Sequence, residues 1–143
     1  MRYIKGTHLT IDGYVGCEEV FSQPIIFSLF NDLSEALNMT ILADPVAVEV
    51  PIDESKLASD EDEGGVSYFC LITTSHMAIH VWPLRKTFML DIFSCRPFDP
   101  SVAVAVVLKK LSVDDYLTNV IFRTDPKIKD KKYGLLQKRN PTG

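Results

Sequence analysis

The sequence predicts an α+β fold, an antiparallel β-sheet covered on one face by two helices. Three observations carry that prediction. Residues 66–95 read as three short apolar strand segments joined by turn-length links, a meander. One segment on either side of it carries helix-start signals and a helical apolar period. With 143 residues, 46% of them hydrophobic, the chain suffices for one core that buries about two-thirds of its unfolded surface, so strands and helices share it.

Taken in order, residues 2–15 alternate moderately, with Ile4, Leu9, Ile11 and Tyr14 among polar neighbours, and predict a first strand or strand pair ending at Gly13 to Gly16. Ser22 can cap a helix with Pro24 in its first turn, and Ile26, Leu29, Phe30, Leu33 and Leu37 recur along one face of it. Residues 40–50 are β-branched and apolar enough for a second strand, broken or bent at Pro45. The acidic, turn-rich stretch 51–65 reads as a mobile loop. Strand segments 66–73, 76–82 and 87–95 follow, the last two joined around Arg85 and Lys86. Asp99 and Pro100 open a second helix that runs to Leu111 and ends in Lys109 and Lys110, cations where the helix dipole favours them. Residues 116–123 form a final strand. Phe69, Phe88, Phe93 and Phe122 are expected in the core under the helices.

Composition narrows the function classes. Net charge is −4, with an acidic run Asp60 to Glu63 and a basic end holding Lys127, Lys129, Lys131, Lys132, Lys138 and Arg139. Nucleic acid is not the expected main partner, and the basic end reads as a flexible extension over 126–143 beyond a single domain over 1–125. The N-terminal apolar stretch is interrupted by Gly13, Gly16, Cys17, Glu18 and Glu19, so neither a signal peptide nor a membrane span is expected, and the location reads as cytoplasmic. Cys17, Cys70 and Cys95 are odd in number without a CxxC pair, which argues against a disulfide framework and a zinc knuckle. His76 and His80 share one strand face, but no third ligand is apparent and no metal site is expected.

The chemistry sits in three short pieces: Gly65-Val66-Ser67, then Thr74-Ser75-His76-Met77-Ala78-Ile79-His80-Val81-Trp82-Pro83, then Asp91-Ile92-Phe93-Ser94-Cys95. In order and spacing they resemble the small prokaryotic S-adenosylmethionine decarboxylases, whose wording is GVS, ESHxxIHTWPE and DxFTC. Gly6-Thr7-His8-Leu9 and Gly16-Cys17 extend the resemblance over about three-quarters of the chain. It implies the sandwich fold of that family and self-cleavage between Thr74 and Ser75. There the serine hydroxyl attacks the preceding carbonyl, the resulting ester eliminates, and Ser75 becomes a covalent pyruvoyl cofactor. By the same resemblance His80 and Ser67 assist processing, the imidazole by moving protons near neutral pH. The pyruvoyl ketone then forms a Schiff base with the substrate amine and acts as an electron sink, and Cys95 reprotonates the α-carbon. The product that the resemblance implies is decarboxylated S-adenosylmethionine, which would feed polyamine synthesis.

Numbering offers a check that does not depend on the family. A turn at 84–86 pairs positions summing to about 170 and sets Ser75 opposite Cys95, and a turn at 73–74 pairs positions summing to about 147 and sets Ser67 opposite His80. Ser75 and His80 lie on one strand roughly 16 Å apart, too far for one chain to unite both pairs. A symmetric homodimer with shared sites is the expected solution, and the family resemblance implies it as well.

Three positions depart from the family's wording. Thr74 replaces a Glu, which is tolerable because the cleavage uses its backbone carbonyl. Leu84 replaces the Glu that in the family binds ribose hydroxyls, and Glu61 stands where the family stacks adenine on an aromatic ring. Two alternatives therefore stay open beside S-adenosylmethionine: a pyruvoyl-dependent decarboxylase of a basic amino acid such as ornithine or arginine, and a non-processing regulatory homologue. Taken singly, Ser75 and Cys95 would read as a tolerated strand serine and a small buried hydrophobe; their place in the ordered motifs makes them site candidates.

Overall fold

The computed structural model describes residues 4–51, 55, 64–126 and 135–139, the last five as backbone. Seven strands form one sheet in the order β2-β3-β4-β5-β1-β6-β7: β1 (Lys5–Val15), β2 (Val46–Val50), β3 (Gly65–Ile72), β4 (Ser75–Trp82), β5 (Thr87–Ser94), β6 (Val113–Thr124) and β7 (Leu135–Arg139). Every neighbouring pair is antiparallel. Helices α1 (Gln23–Ala36) and α2 (Pro100–Leu111) lie against one face. The α+β architecture predicted from the sequence is the one observed.

Alternation along the strands sorts the residues between the two faces. Leu9 and Ile11 of β1, Tyr68, Cys70 and Ile72 of β3, Met77, Ile79 and Val81 of β4, and Phe88, Leu90 and Ile92 of β5 are buried with Ile26, Leu29, Phe30 and Leu33 of α1 and Ala103, Val107 and Leu111 of α2. Asp99 caps α2, its Oδ1 accepting from Ser101 N–H at 2.9 Å, whereas Ser22 stands at the N-cap of α1 without a side-chain cap bond. Lys110 in the last turn of α2 reaches Asp32 at 3.0 Å and Ser28 at 2.6 Å, tying the helices together.

Several expectations change. The second strand begins only at Val46; before it, the chain touches the sheet through an Ile41↔Ile72 bridge. Phe88 is in the core and Phe122 packs against it, but Phe69 is 40% exposed and Phe93 lies on the uncovered face. Strand parity explains this, since Phe69 pairs with Ala78, and Phe93 with His76, one step out of phase with the buried set. Within 126–143, read above as an extension, Leu135–Arg139 is instead β7, paired from Ile121↔Leu135 to Leu117↔Arg139. Strand β6 would otherwise present a free edge of backbone donors and acceptors, and β7 takes it up. Most of the acidic stretch 51–65, including Glu61, lies outside the described residues. No helix among the described residues is long and apolar enough to cross a membrane.

The face that the described residues leave uncovered is markedly apolar at one side. Val46, Val48 and Val50 of β2 are 52–56% exposed there, beside Phe69 and Leu71 of β3, with Met89 and Ile121 further along. Antiparallel sheets often leave one face to water, but then its side chains are mostly polar.

Candidate active site

The hairpin between β3 and β4 has a two-residue turn, Thr73-Thr74, closed by Ile72↔Ser75. Thr74 adopts φ 56°. Left-handed backbone costs an L-residue roughly 1–2 kcal/mol and is rarest for β-branched ones; Asn38, Lys86 and Ser112, the other non-glycine residues in that region among those described, are unbranched at Cβ. The strained residue immediately precedes Ser75, which is 8% exposed at the start of β4.

Ser75 and Cys95 meet. Cys95 N–H donates to Ser75 Oγ at 3.0 Å, and the Ser75 hydroxyl faces Cys95 Sγ at 3.8 Å. The register behind this contact differs by one from the expected one. The link is a 3-10 turn, Pro83–Arg85, followed by Lys86 at φ 52°, so it holds four residues and sets Trp82 opposite Thr87 and His76 opposite Phe93. Cys95 therefore sits one step beyond the position facing Ser75 and reaches it with its backbone N–H as well as its sulfur. The Cys95 thiol is also 2.6 Å from Thr74 Oγ1. Its pKa is drawn below the ordinary thiol value, first by the Thr74 hydrogen bond, against burial, with Ser75, the backbone and Arg96 adding to the lowering. Cys70, by contrast, is buried in the core and pushed up to about 11 by desolvation, an inert structural thiol.

Ser67 and His80 also meet: they are directly paired across β3 and β4, with Ser67 Oγ 2.8 Å from His80 Nδ1. Gly65, at φ 147°, starts β3 where a Cβ would run into the Val81 carbonyl, so the strand can enter only as glycine. Val50, Gly64, Val66 and Trp82 complete a cavity of about 90 Å³ over this pair. A larger one, about 580 Å³, opens between the helices beside Asp32, Glu35 and Lys109, but it holds none of the motif residues.

The structure does not unite the two pairs within one chain. Ser75 shares the helix-covered face with Met77 and Ile79, whereas His80 is on the uncovered face. A second cluster on that face escaped the sequence reading, which met His8 only within the Gly6-Thr7-His8-Leu9 segment. His8 Nε2 lies 3.2 Å from Asp91 Oδ1, and His76 is held between the rings of Phe69 and Phe93 at 5.8 and 5.7 Å. Arg123 covers Phe93 at 4.8 Å. Desolvation lowers the His76 pKa, helped by His8 and Arg123 and opposed by Asp91; Asp12 nearby is raised by burial and by Asp91. Strand parity combined with the observed register is the signal that would have placed these residues together.

The chain resembles known proteins in sequence and in fold. The family model for S-adenosylmethionine decarboxylase matches residues 7–124. An S-adenosylmethionine decarboxylase proenzyme of Clostridium botulinum is 30% identical over 129 residues, 85% of this chain and 99% of that protein. Arginine decarboxylase proenzymes are similar over shorter stretches: that of Ignicoccus hospitalis is 34% identical over 65 residues, 45% of each chain, and that of Caldivirga maquilingensis 33% over 67 residues, 44% of this chain and 48% of that protein. The match thus spans about half the length of these latter relatives. The crystal structure of the adenosylmethionine decarboxylase from Aquifex aeolicus superimposes with a TM-score of 0.60 at 19% identity, covering 83% of this chain and 90% of that one; it shares the fold.

Proposed function

The chain belongs to the S-adenosylmethionine decarboxylase family, and from that premise we propose that it is a proenzyme that cuts itself between Thr74 and Ser75, converts Ser75 to a pyruvoyl group and decarboxylates S-adenosylmethionine. One observation carries the proposal: the bond to be cut follows a left-handed threonine, and the attacking oxygen is already gripped by Cys95 N–H at 3.0 Å. Relief of the Thr74 backbone favours cleavage.

The residues present fit the group. Once cut, residue 75 becomes the free end of β4, beside Cys95 and no longer bound to the hairpin. A pyruvoyl group there supplies a ketone that takes the substrate amine and draws electrons as carbon dioxide leaves. The chain's own groups do the rest. Cys95 holds a proton within reach of residue 75 and returns it to the α-carbon, while Ser67 orients His80 through the 2.8 Å contact so that the imidazole can move protons during processing.

Completion of the site requires a second copy. The Ser67–His80 pair and the Ser75–Cys95 pair lie on opposite faces of β4, the cavity over the former is well below the several hundred Å³ that a bound small molecule needs, and the uncovered face carries apolar side chains that a partner sheet would bury. A symmetric homodimer with two shared sites satisfies all three. Acting on a soluble amine precursor, it works in the cytoplasm.

A second substrate reading has its own observation. Leu84, in the turn after Trp82, is 55% exposed where the family's wording has Glu, and arginine decarboxylase proenzymes are among the relatives. A basic amino acid, arginine or ornithine, is then the substrate. Carbon dioxide release from carboxyl-labelled S-adenosylmethionine, arginine and ornithine separates the two: turnover of the first, inhibited by adenosine analogues and absent in Ser75→Ala, supports the main reading, whereas turnover of arginine or ornithine alone replaces it.

A further inference from the structure

The Thr74 hydroxyl occupies a place that the residue's backbone role does not require. Oγ1 donates to the Thr73 carbonyl at 2.8 Å and lies 2.6 Å from Cys95 Sγ. A threonine has one hydroxyl proton, so with that proton on the carbonyl the uncharged thiol is the donor to Thr74. The Ser75 hydroxyl in turn faces the same sulfur at 3.8 Å, while its oxygen accepts from Cys95 N–H. Ser75 O–H, Cys95 S–H, Thr74 O–H and the Thr73 carbonyl thus stand in one line. His80 of the same chain is on the other face of β4.

We propose that Thr74 is a positioning residue for self-cleavage: its hydroxyl holds the Cys95 sulfur beside Ser75 so that this sulfur carries the proton from the attacking oxygen to the leaving nitrogen. The proposal rests on the self-cleavage reading. In the step, a Cys95 thiolate takes the Ser75 hydroxyl proton, the oxygen bonds to the Thr74 carbonyl carbon, the bond from that carbon to the Ser75 nitrogen breaks, and the sulfur gives the proton to the nitrogen. An ester and a free amine result and the thiolate is restored, so atoms and charge balance. During the step the Thr74 hydroxyl turns from the Thr73 carbonyl to the charged sulfur, the donation that chiefly draws the thiol's pKa down. Once cleavage is complete, Thr74 ends a separate chain, the sulfur loses this donor, and a protonated thiol is left for the α-carbon.

Two readouts test this. Thr74→Val keeps the branched shape and removes only the hydroxyl; Thr74→Ser keeps the hydroxyl. Followed by intact mass against time, Thr74→Val is expected to cleave about tenfold more slowly, the scale of one hydrogen bond to a charged group, with the rising limb of its pH profile displaced to higher pH, while Thr74→Ser retains the natural rate and profile. In a Ser75→Ala background, where no cut occurs, adding Thr74→Val should slow iodoacetamide alkylation of Cys95 at neutral pH, scored by peptide mass to separate it from exposed Cys17. Unchanged cleavage and pH profile in Thr74→Val, or unchanged alkylation, overturns the proposal alone. A natural chain that never cleaves removes the reading beneath it.

Discussion

At the scale of single residues, what matters is which groups touch Ser75 and which do not. Cys95 touches it by backbone and side chain, so Cys95→Ala is expected to lower turnover by about two orders of magnitude or more, the worth of a positioned proton donor, measured as carbon dioxide release per pyruvoyl chain. The one-step slip that gives Cys95 its double contact was not legible in the sequence, because the turn reads there as 84–86, whereas Pro83 belongs to it as well. The Ser67↔His80 pairing was legible, since a two-residue turn leaves one register. His76 gives a pH prediction. Its pKa is lowered by desolvation, then by His8 and Arg123 against Asp91, so the folded chain holds it neutral while the unfolded chain protonates near 6.5. Stability from this source is present above that value and lost as pH falls through the lower folded pKa. Thermal melts of His76→Gln should therefore show a shallower acid-side decline than the natural chain; an identical decline would mean that His76 does not carry it.

Among the elements, the β3–β4 hairpin and α2 make opposite uses of local conformation. The hairpin stores a left-handed Thr74 next to the proposed scissile bond, so in an uncut Ser75→Ala background Thr74→Gly should be more stable than Thr74→Ala, which equally lacks the hydroxyl, by about 1 kcal/mol in urea melts, and equal stabilities would show the turn to be unstrained. The α2 start is unstrained and capped: Asp99→Ala should cost about 1 kcal/mol, read in the same melts. Both helices were legible because caps and apolar period are local. Strand β7 was not, since its pairing with β6 depends on an edge left over by the whole sheet, and Lys-rich sequence at a chain end gives no period of its own. Phe93 was misplaced for a related reason: an aromatic residue announces burial, but only parity against a known register says on which face.

For the molecule as a whole, the sheet has one face covered by helices and one that the described residues leave uncovered, apolar along β2 and β3 and polar around His8 and Asp91, with His80 on that face and Ser75 on the other. The proposed shared-site dimer would resolve this, and subunit mixing tests it. His80→Ala chains, slow to cleave alone, should be cleaved when co-expressed with Ser75→Ala chains that lend an intact Ser67–His80 pair; failure of the mixed subunits to cleave while they still assemble would place processing within one chain. Arrangements of this kind are only partly legible in sequence, where distance along a strand shows that two pairs cannot meet but not which surface brings a partner. The measurement closest to the central claim is the intact mass of the purified protein under denaturing conditions. Self-processing predicts two fragments divided between Thr74 and Ser75, the C-terminal one beginning in a pyruvoyl group and blocked to amino-terminal sequencing; a single species at the full 16.1 kDa, persisting through long incubation with S-adenosylmethionine and with arginine, would contradict it.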